Sequence, residues 1–309
     1  MGIVVFGAVF VDIKGYPLSQ YIPGGRNVGR VVQTHGGVSR NVAEDIANVE
    51  LRPTFVSVVD DSGSGYDVIN KLQNHKVNTQ YIAQAPDTLG TWLAVFDNNG
   101  DVVASISRRP DLSKIAEILD LYGEKIISEC DSVVVEIDME PDLLNRIFWL
   151  AEKYGKEVYG VVSNMSIAIE RRDLLKRTGC FVCNEQEAGM FFSDDFTEVD
   201  EDLLVDILPT RVRNAGLKKM VVTQGFKGAV YADRDGDAGF VPAWKVDVID
   251  TTGAGDAFFA GVTIGLTYGK TLQEACEIGT RLAASVITTK ESVCPRFQPE
   301  EFGIPSPQE

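Results

Sequence analysis

Asp250-Thr251-Thr252-Gly253-Ala254-Gly255-Asp256 runs directly into Ala257-Phe258-Phe259-Ala260-Gly261. The preceding Val246–Ile249 reads as the end of a strand, and the apolar stretch after it as a helix over roughly Ala254–Tyr268. Gly253, Ala254 and Gly255 carry almost no side chain, so a ligand can come close to the backbone. Their N–H groups open the helix, and a helix N-terminus binds anions through unpaired donors and its dipole. Asp256 stands in that first turn. A carboxylate beside an anion pocket can take the proton of an attacking hydroxyl while the amides hold charge developing on a phosphoryl group. A glycine-rich helix entry with an acidic first turn also serves purely structural ends. The rest of the chain therefore has to decide between the two readings.

Outward from this stretch, Val- and Ile-rich runs alternate with amphipathic segments. Ile3–Phe6, Thr54–Val59, Ser132–Ile137, Glu157–Val162, Cys180–Cys183 and Lys219–Thr223 read as strands. Their near-continuous apolar character predicts a mostly parallel sheet buried on both faces. Helical periodicity occupies the intervals, with two helices closing the chain. That rhythm predicts a single domain over 1–309, a three-layer α/β/α sandwich. Two stretches break it, about 14–35 and about 90–108. The second carries Asn98-Asn99-Gly100 between two alternating runs, a strong hairpin signal. Together they predict a small β-sheet lid over the carboxyl edge of the main sheet, where such folds bind ligands. Apolar residues on both faces of the hairpin suit a homodimer through paired lids. Gly303–Glu309 reads as a loose tail.

Bulk properties narrow the chemistry. The 309 residues include 29 Lys plus Arg and 45 Asp plus Glu, a net charge of -16. Such a field repels phosphate backbones and anionic membranes, which argues against nucleic-acid and membrane partners. An acidic phosphotransferase must then build its own locally positive pocket. The five cysteines are irregularly spaced, and Cys180-Phe-Val-Cys183 reads as core rather than a metal pair. Reduced thiols and an N-terminus without a basic leader fit a cytoplasmic protein.

A second motif, Gly36-Gly37-Val38-Ser39-Arg40-Asn41, precedes an amphipathic helix. Two glycines let a substrate press on the backbone, and Asn41 offers donor and acceptor to a diol. By itself the motif is also a plain helix entry with Ser39 as N-cap.

With both motifs in view, the chain resembles the PfkB, or ribokinase-like, family of carbohydrate and nucleoside kinases. The heptad matches that family's second signature, and the glycine pair with Asn41 matches its first. The resemblance implies an ATP-dependent kinase with a ribokinase-like fold, Mg²⁺ as cofactor and K⁺ as an accessory ion. It assigns the anion hole to Gly253, Ala254 and Gly255 and the base to Asp256. It assigns a sugar or nucleoside acceptor to Asp12, Gly36, Gly37 and Asn41. Asn184-Glu185-Gln186-Glu187 resembles a motif that supports Mg²⁺ indirectly through Glu187. Thr223, Gly225 and Gly228 resemble the nucleotide-side turn, and Asp250 the monovalent-cation position. Val11–Tyr16, Gly36–Ala43, Phe96–Asp101 and Val286–Phe297 most resemble the pseudouridine kinases of the family. They imply phosphorylation of pseudouridine at its 5′-hydroxyl, with a ribokinase or fructokinase activity as the alternative. Gly160-Val161-Val162-Ser163-Asn164 departs from the family's Asp-Pro-Val, and Thr288–Pro295 lacks its Gly-Ala. A nucleoside sensor without chemistry would have no use for Asp256. A dinucleotide-dependent oxidoreductase would want Gly-x-Gly-x-x-Gly after the first strand, which Gly7–Asp12 does not supply.

Overall fold

The computed structural model describes residues 2–197 and 199–306. In chain order it begins with β1 (Ile3–Phe6), β2 (Phe10–Pro17), β3 (Gly29–Gly36), α1 (Val38–Asn48), β4 (Thr54–Val59), α2 (Gly63–Asn74) and β5 (Asn78–Gln84). It continues with β6 (Gly90–Phe96), β7 (Val102–Arg108), α3 (Lys114–Glu129), β8 (Ser132–Glu136), α4 (Pro141–Lys153) and β9 (Val158–Val161). The second half holds α5 (Met165–Glu170), α6 (Arg172–Leu175), β10 (Phe181–Asn184), α7 (Glu185–Phe192) and α8 (Glu201–Ala215). Last come β11 (Lys219–Thr223), β12 (Gly228–Asp233), β13 (Ala238–Pro242), α9 (Ala254–Thr267) and α10 (Leu272–Ile287).

The parallel strands explain the continuous apolar runs. The order β5-β4-β1-β8-β9 is parallel throughout, with β1 central. Side chains alternate faces along a strand. Val4 and Phe6 therefore enter one core, with α3 and α4, while Ile3 and Val5 enter the other, with α1, α9 and α10. β9 abuts β10, and the order β10-β11-β12-β13 extends the layer. Cys180 and Cys183 are both buried, one in each core, as expected of small strand residues. Among the described residues no helix is long and apolar enough to cross a membrane.

The third sheet is the lid, ordered β3-β2-β6-β7. Its strand β2 starts at Phe10, so Asp12 lies inside the lid rather than in a loop after β1. Gln33 Nε2 donates to Ser64 Oγ at 2.9 Å, and His35 Nε2 lies 3.0 Å from Asp67 Oδ2. These two contacts tie β3 to α2.

Two expectations needed revision, and one hairpin had not been expected. Val246–Ile249 forms no strand; Val248 and Ile249 are exposed, and Ile249 N–H donates to the Ile287 carbonyl at 2.8 Å. The antiparallel hairpin β12–β13 went unread, because Gly228 and Gly239 dilute its pattern. Within the expected tail, Ile304 is buried in a core, anchoring the chain there.

Candidate active site

The carboxyl end of β8 opens onto a cavity of about 540 Å³, walled on its other side by β2 and β3 of the lid. Asp256 is the third residue of α9, whose N-cap is Gly253. Gly253 has φ +84°, and a Cβ there would lie 2.0 Å from the Ser292 carbonyl oxygen. Only glycine fits that left-handed, tightly covered position. Gly255 is the opposite case. A Cβ there would meet nothing within 4 Å, so the turn is open on that side. The turn expected to hold an anion is thus tightly covered at Gly253 and open at Gly255, while Gly253, Ala254 and Gly255 do not themselves line the cavity that Asp256 lines.

Asn41 Nδ2 donates to Asp256 Oδ2 at 2.6 Å, joining the two motifs across the chain. Burial pushes the Asp256 carboxyl up to about 6, against the Asn41 hydrogen bond and the charge of Arg40, with Glu136 adding to the rise. A base in that range is anionic at neutral pH and strong enough to accept a hydroxyl proton. Ser292 Oγ donates to Asn41 Oδ1 at 3.4 Å. Asp12 sits opposite Thr34 of β3 and Trp92 of β6. Burial raises its carboxyl too, against the charges of Lys14 and Arg40. A Cβ on Gly36 would come within 3.0 Å of the Asp12 carboxylate, so that glycine leaves room beside it.

Asp12, Gly36, Gly37, Asn41, Asp250 and Asp256 all line this one cavity. Asp250 Oδ1 accepts the Thr252 N–H at 2.9 Å, which holds its carboxyl below the usual range. The residues expected on the nucleotide side form a separate cluster. Asn184 and Thr223 are register partners at the ends of β10 and β11. Asn184 Oδ1 accepts from Glu187 N–H, and Glu187 Oε2 from Asn184 N–H, both at 2.9 Å. This reciprocal box opens α7. Gln224 Nε2 donates to Glu185 Oε1 at 2.9 Å and couples that box to the turn holding Gly225 and Gly228. Asn184, Glu187, Thr223, Gly225 and Gly228 do not line the cavity at Asp256. Among the described residues no three or more His, Cys, Asp or Glu side chains cluster as a metal site.

Some site residues had no reading from the sequence. Glu136, the last residue of β8, is buried and lines the cavity. Its Oε2 accepts from Ala8 N–H at 2.9 Å and Ser39 Oγ at 2.7 Å. Ser39 is therefore no N-cap; Gly37 holds that place without a side-chain bond. A carboxylate ending an apolar strand was the available signal for Glu136. Lys14 and Lys290 also line the cavity and supply local positive charge in an acidic molecule.

Residues 2–296 match the family model described as pfkB family carbohydrate kinase. The chain belongs to the PfkB family. It is 33% identical over 292 residues to a guanosine-inosine kinase of Exiguobacterium acetylicum, covering 94% of this chain and 95% of that one. It is 25% identical over 262 residues to a pseudouridine kinase of Escherichia coli, covering 84% and 82%. The structure of an Arabidopsis thaliana ribokinase with ribose and ATP superposes with TM-score 0.82 at 18% identity, covering 97% of each chain. The PfkB chain described here is accordingly a kinase with a ribokinase-like α/β fold.

Proposed function

We propose that the chain transfers the γ-phosphoryl group of MgATP to the 5′-hydroxyl of a nucleoside, a purine nucleoside such as inosine or guanosine before others. The observation that carries this reading is a second cavity, of about 440 Å³, beyond the first. Phe10, Glu136 and Ser163 line both, so the two adjoin. A ribose held by Asp12 and Asn41 would occupy the first, and its base would extend into the second. Asp138 lines that second cavity, and its Oδ1 is buried with no hydrogen-bond partner within the protein. Guanine and hypoxanthine present a ring N–H that such an oxygen would accept. The 33% identity to a guanosine-inosine kinase favours the two-ring base over the pseudouridine expected from the sequence. Pseudouridine remains the second reading, since its ring also carries two N–H donors and a pseudouridine kinase is a relative at 25%.

In this reading the 5′-oxygen attacks the γ-phosphorus. The bond from that phosphorus to the β–γ bridging oxygen breaks, and its electron pair leaves with ADP. The hydroxyl proton passes to Asp256. The amides of Gly253, Ala254 and Gly255 face the transferring oxygens and stabilise their charge. Mg²⁺ bound with the nucleotide supplies charge neutralisation across the phosphates, and Asn184 and Glu187 would hold it indirectly. Asp250, kept anionic by the Thr252 amide, is the residue that would face a monovalent cation. A homodimer through the lid and a cytoplasmic setting belong to the same reading.

The test is ADP release under identical MgATP, comparing kcat/KM for inosine, guanosine, pseudouridine, uridine, ribose and fructose. Inosine or guanosine should lead, with free sugars behind by a factor of about 10² or more, because they leave the base partners unpaired. Ribose or fructose in the lead would overturn the nucleoside reading. Pseudouridine in the lead would reverse the choice of base.

A further inference from the structure

Arg40 is the largest fully buried side chain among the described residues, 1% exposed. Its Nη1 donates to Glu44 Oε2 at 2.6 Å, its Nη2 to the His35 carbonyl, and its Nε to the Gly36 carbonyl at 3.5 Å. Glu44 is wholly buried as well, with His75 Nε2 at 3.4 Å and Lys71 Nζ at 3.6 Å from its Oε1. Enclosing an ion pair costs several kcal/mol of hydration, and an apolar pair of similar volume often fits such a place as well or better. Stability alone is thus a poor account of Arg40. Its location suggests another. His35 and Gly36 end the lid strand β3, and Asn41 follows in α1.

We propose that Arg40 is a positioning residue for phosphoryl transfer: it clamps the lid's last strand to the start of α1 and supplies fixed positive charge behind Asp12 and Asp256. Other charged groups surround Asp256. Asp45 of α1 and Glu136 of β8 are near enough to interact with it. Asp12 and Lys14 of β2, His35 of β3, Asp67 and Lys71 of α2, and Asp250, Lys290 and Glu291 beside α9 line the same cavity. Of the cations, Arg40 alone is sealed from solvent, so counterions screen it least. Its charge opposes the rise that burial imposes on both Asp12 and Asp256.

The proposal rests on Asp256 as the base, and the experiment separates the two. Arg40→Met, Arg40→Lys and Glu44→Gln are assayed by pH profile of kcat/KM, using MgATP and the best acceptor of the nucleoside and sugar panel. Arg40→Met should raise the acceptor KM about 10-fold and move the acidic limb upward by about half a pH unit or more, leaving the KM for ATP within about twofold. Arg40→Lys should restore the limb by restoring charge, yet keep the raised KM, because an ammonium lacks the planar fork. Glu44→Gln removes the counter-anion, so its limb should move downward. Opposite shifts in Arg40→Met and Glu44→Gln are what general loosening would not produce. An unmoved limb in either variant, or shifts in one direction, would overturn the proposal. If Arg40→Met fails to fold, Glu44→Gln and Arg40→Lys decide alone. An acidic limb that survives in Asp256→Asn would instead overturn the base assignment.

Discussion

A carboxyl group that must take a proton near neutral pH has to be kept from water without being stranded, and Asp256, the proposed base, meets both demands beside Asn41. Burial raises its pKa to about 6, and the 2.6 Å bond from Asn41 limits the rise. Asp256→Asn should lower kcat by about 10²–10⁴, measured as ADP release, with ATP affinity kept. The same raised pKa has a thermodynamic side. In the native state the carboxyl stays neutral until about 6, while in the unfolded chain it ionises near 3.8. Native stability is therefore lost as pH rises through that window, to a deficit of up to about 3 kcal/mol, less where cavity water reaches the group. Asp256→Asn lacks this deficit. Its melting temperature should exceed wild type at pH 8 and approach it near pH 4; equal melting at pH 8 would count against the raised pKa. Gly255→Val places a branched side chain in the open space beside its turn, and should cut kcat by about 10²–10³ while the protein still folds. Undiminished turnover would put the phosphoryl group elsewhere.

At the scale of elements, legibility followed sequence distance. The residues proposed as anion hole and base are contiguous in Gly253–Asp256, and the glycine pair precedes Asn41 by few residues, so both motifs could be read directly. Six parallel-type strands and their helices were equally plain, since burial on two faces writes an unbroken apolar run, whereas the polar, half-exposed edge strand β5 gave no such signal. What stayed hidden acts across long separations. Ser39 and Glu136 are 97 residues apart, and Ser292 reaches Asn41 over 251. No local pattern announces such partners. The exposed segment before Asp250 misled for a related reason: Val248 and Ile249 are apolar yet unpaired in any sheet. The lid's attachment is likewise a matter of elements. Gln33–Ser64 and His35–Asp67 hold β3 to α2 beside the acceptor residues. Removing both ties with Ser64→Ala and Asp67→Ala should raise the acceptor KM several-fold and leave the KM for ATP alone. A change confined to ATP would show that this edge of the lid does not govern the acceptor.

For the molecule as a whole, the lid exposes apolar side chains on β6 and β7, while Ile13 beside them on β2 packs against the core. Ile13, Leu93 and Ile106 form a row across β2, β6 and β7, with Leu93 40% and Ile106 71% exposed. We expect a homodimer through this face, seen as twice the 33.7 kDa chain mass in sedimentation, and Ile106→Glu should shift it to monomer. A monomer at every concentration would exclude that assembly. The bond between Asn41 and Asp256 also bears on thrift. It joins residues 215 apart in sequence, linking α1 beside the lid to the first turn of α9. With no acceptor present, one oxygen of the base is already engaged, so a stray water finds a poorer proton acceptor than an arriving hydroxyl that competes for Asn41. On the proposed mechanism, the amide that would help seat the substrate would also hold back the wasteful reaction, ATP cleaved with nothing gained. Asn41→Ala should raise ADP release without acceptor relative to release with it, and an unchanged ratio would show that the restraint lies elsewhere.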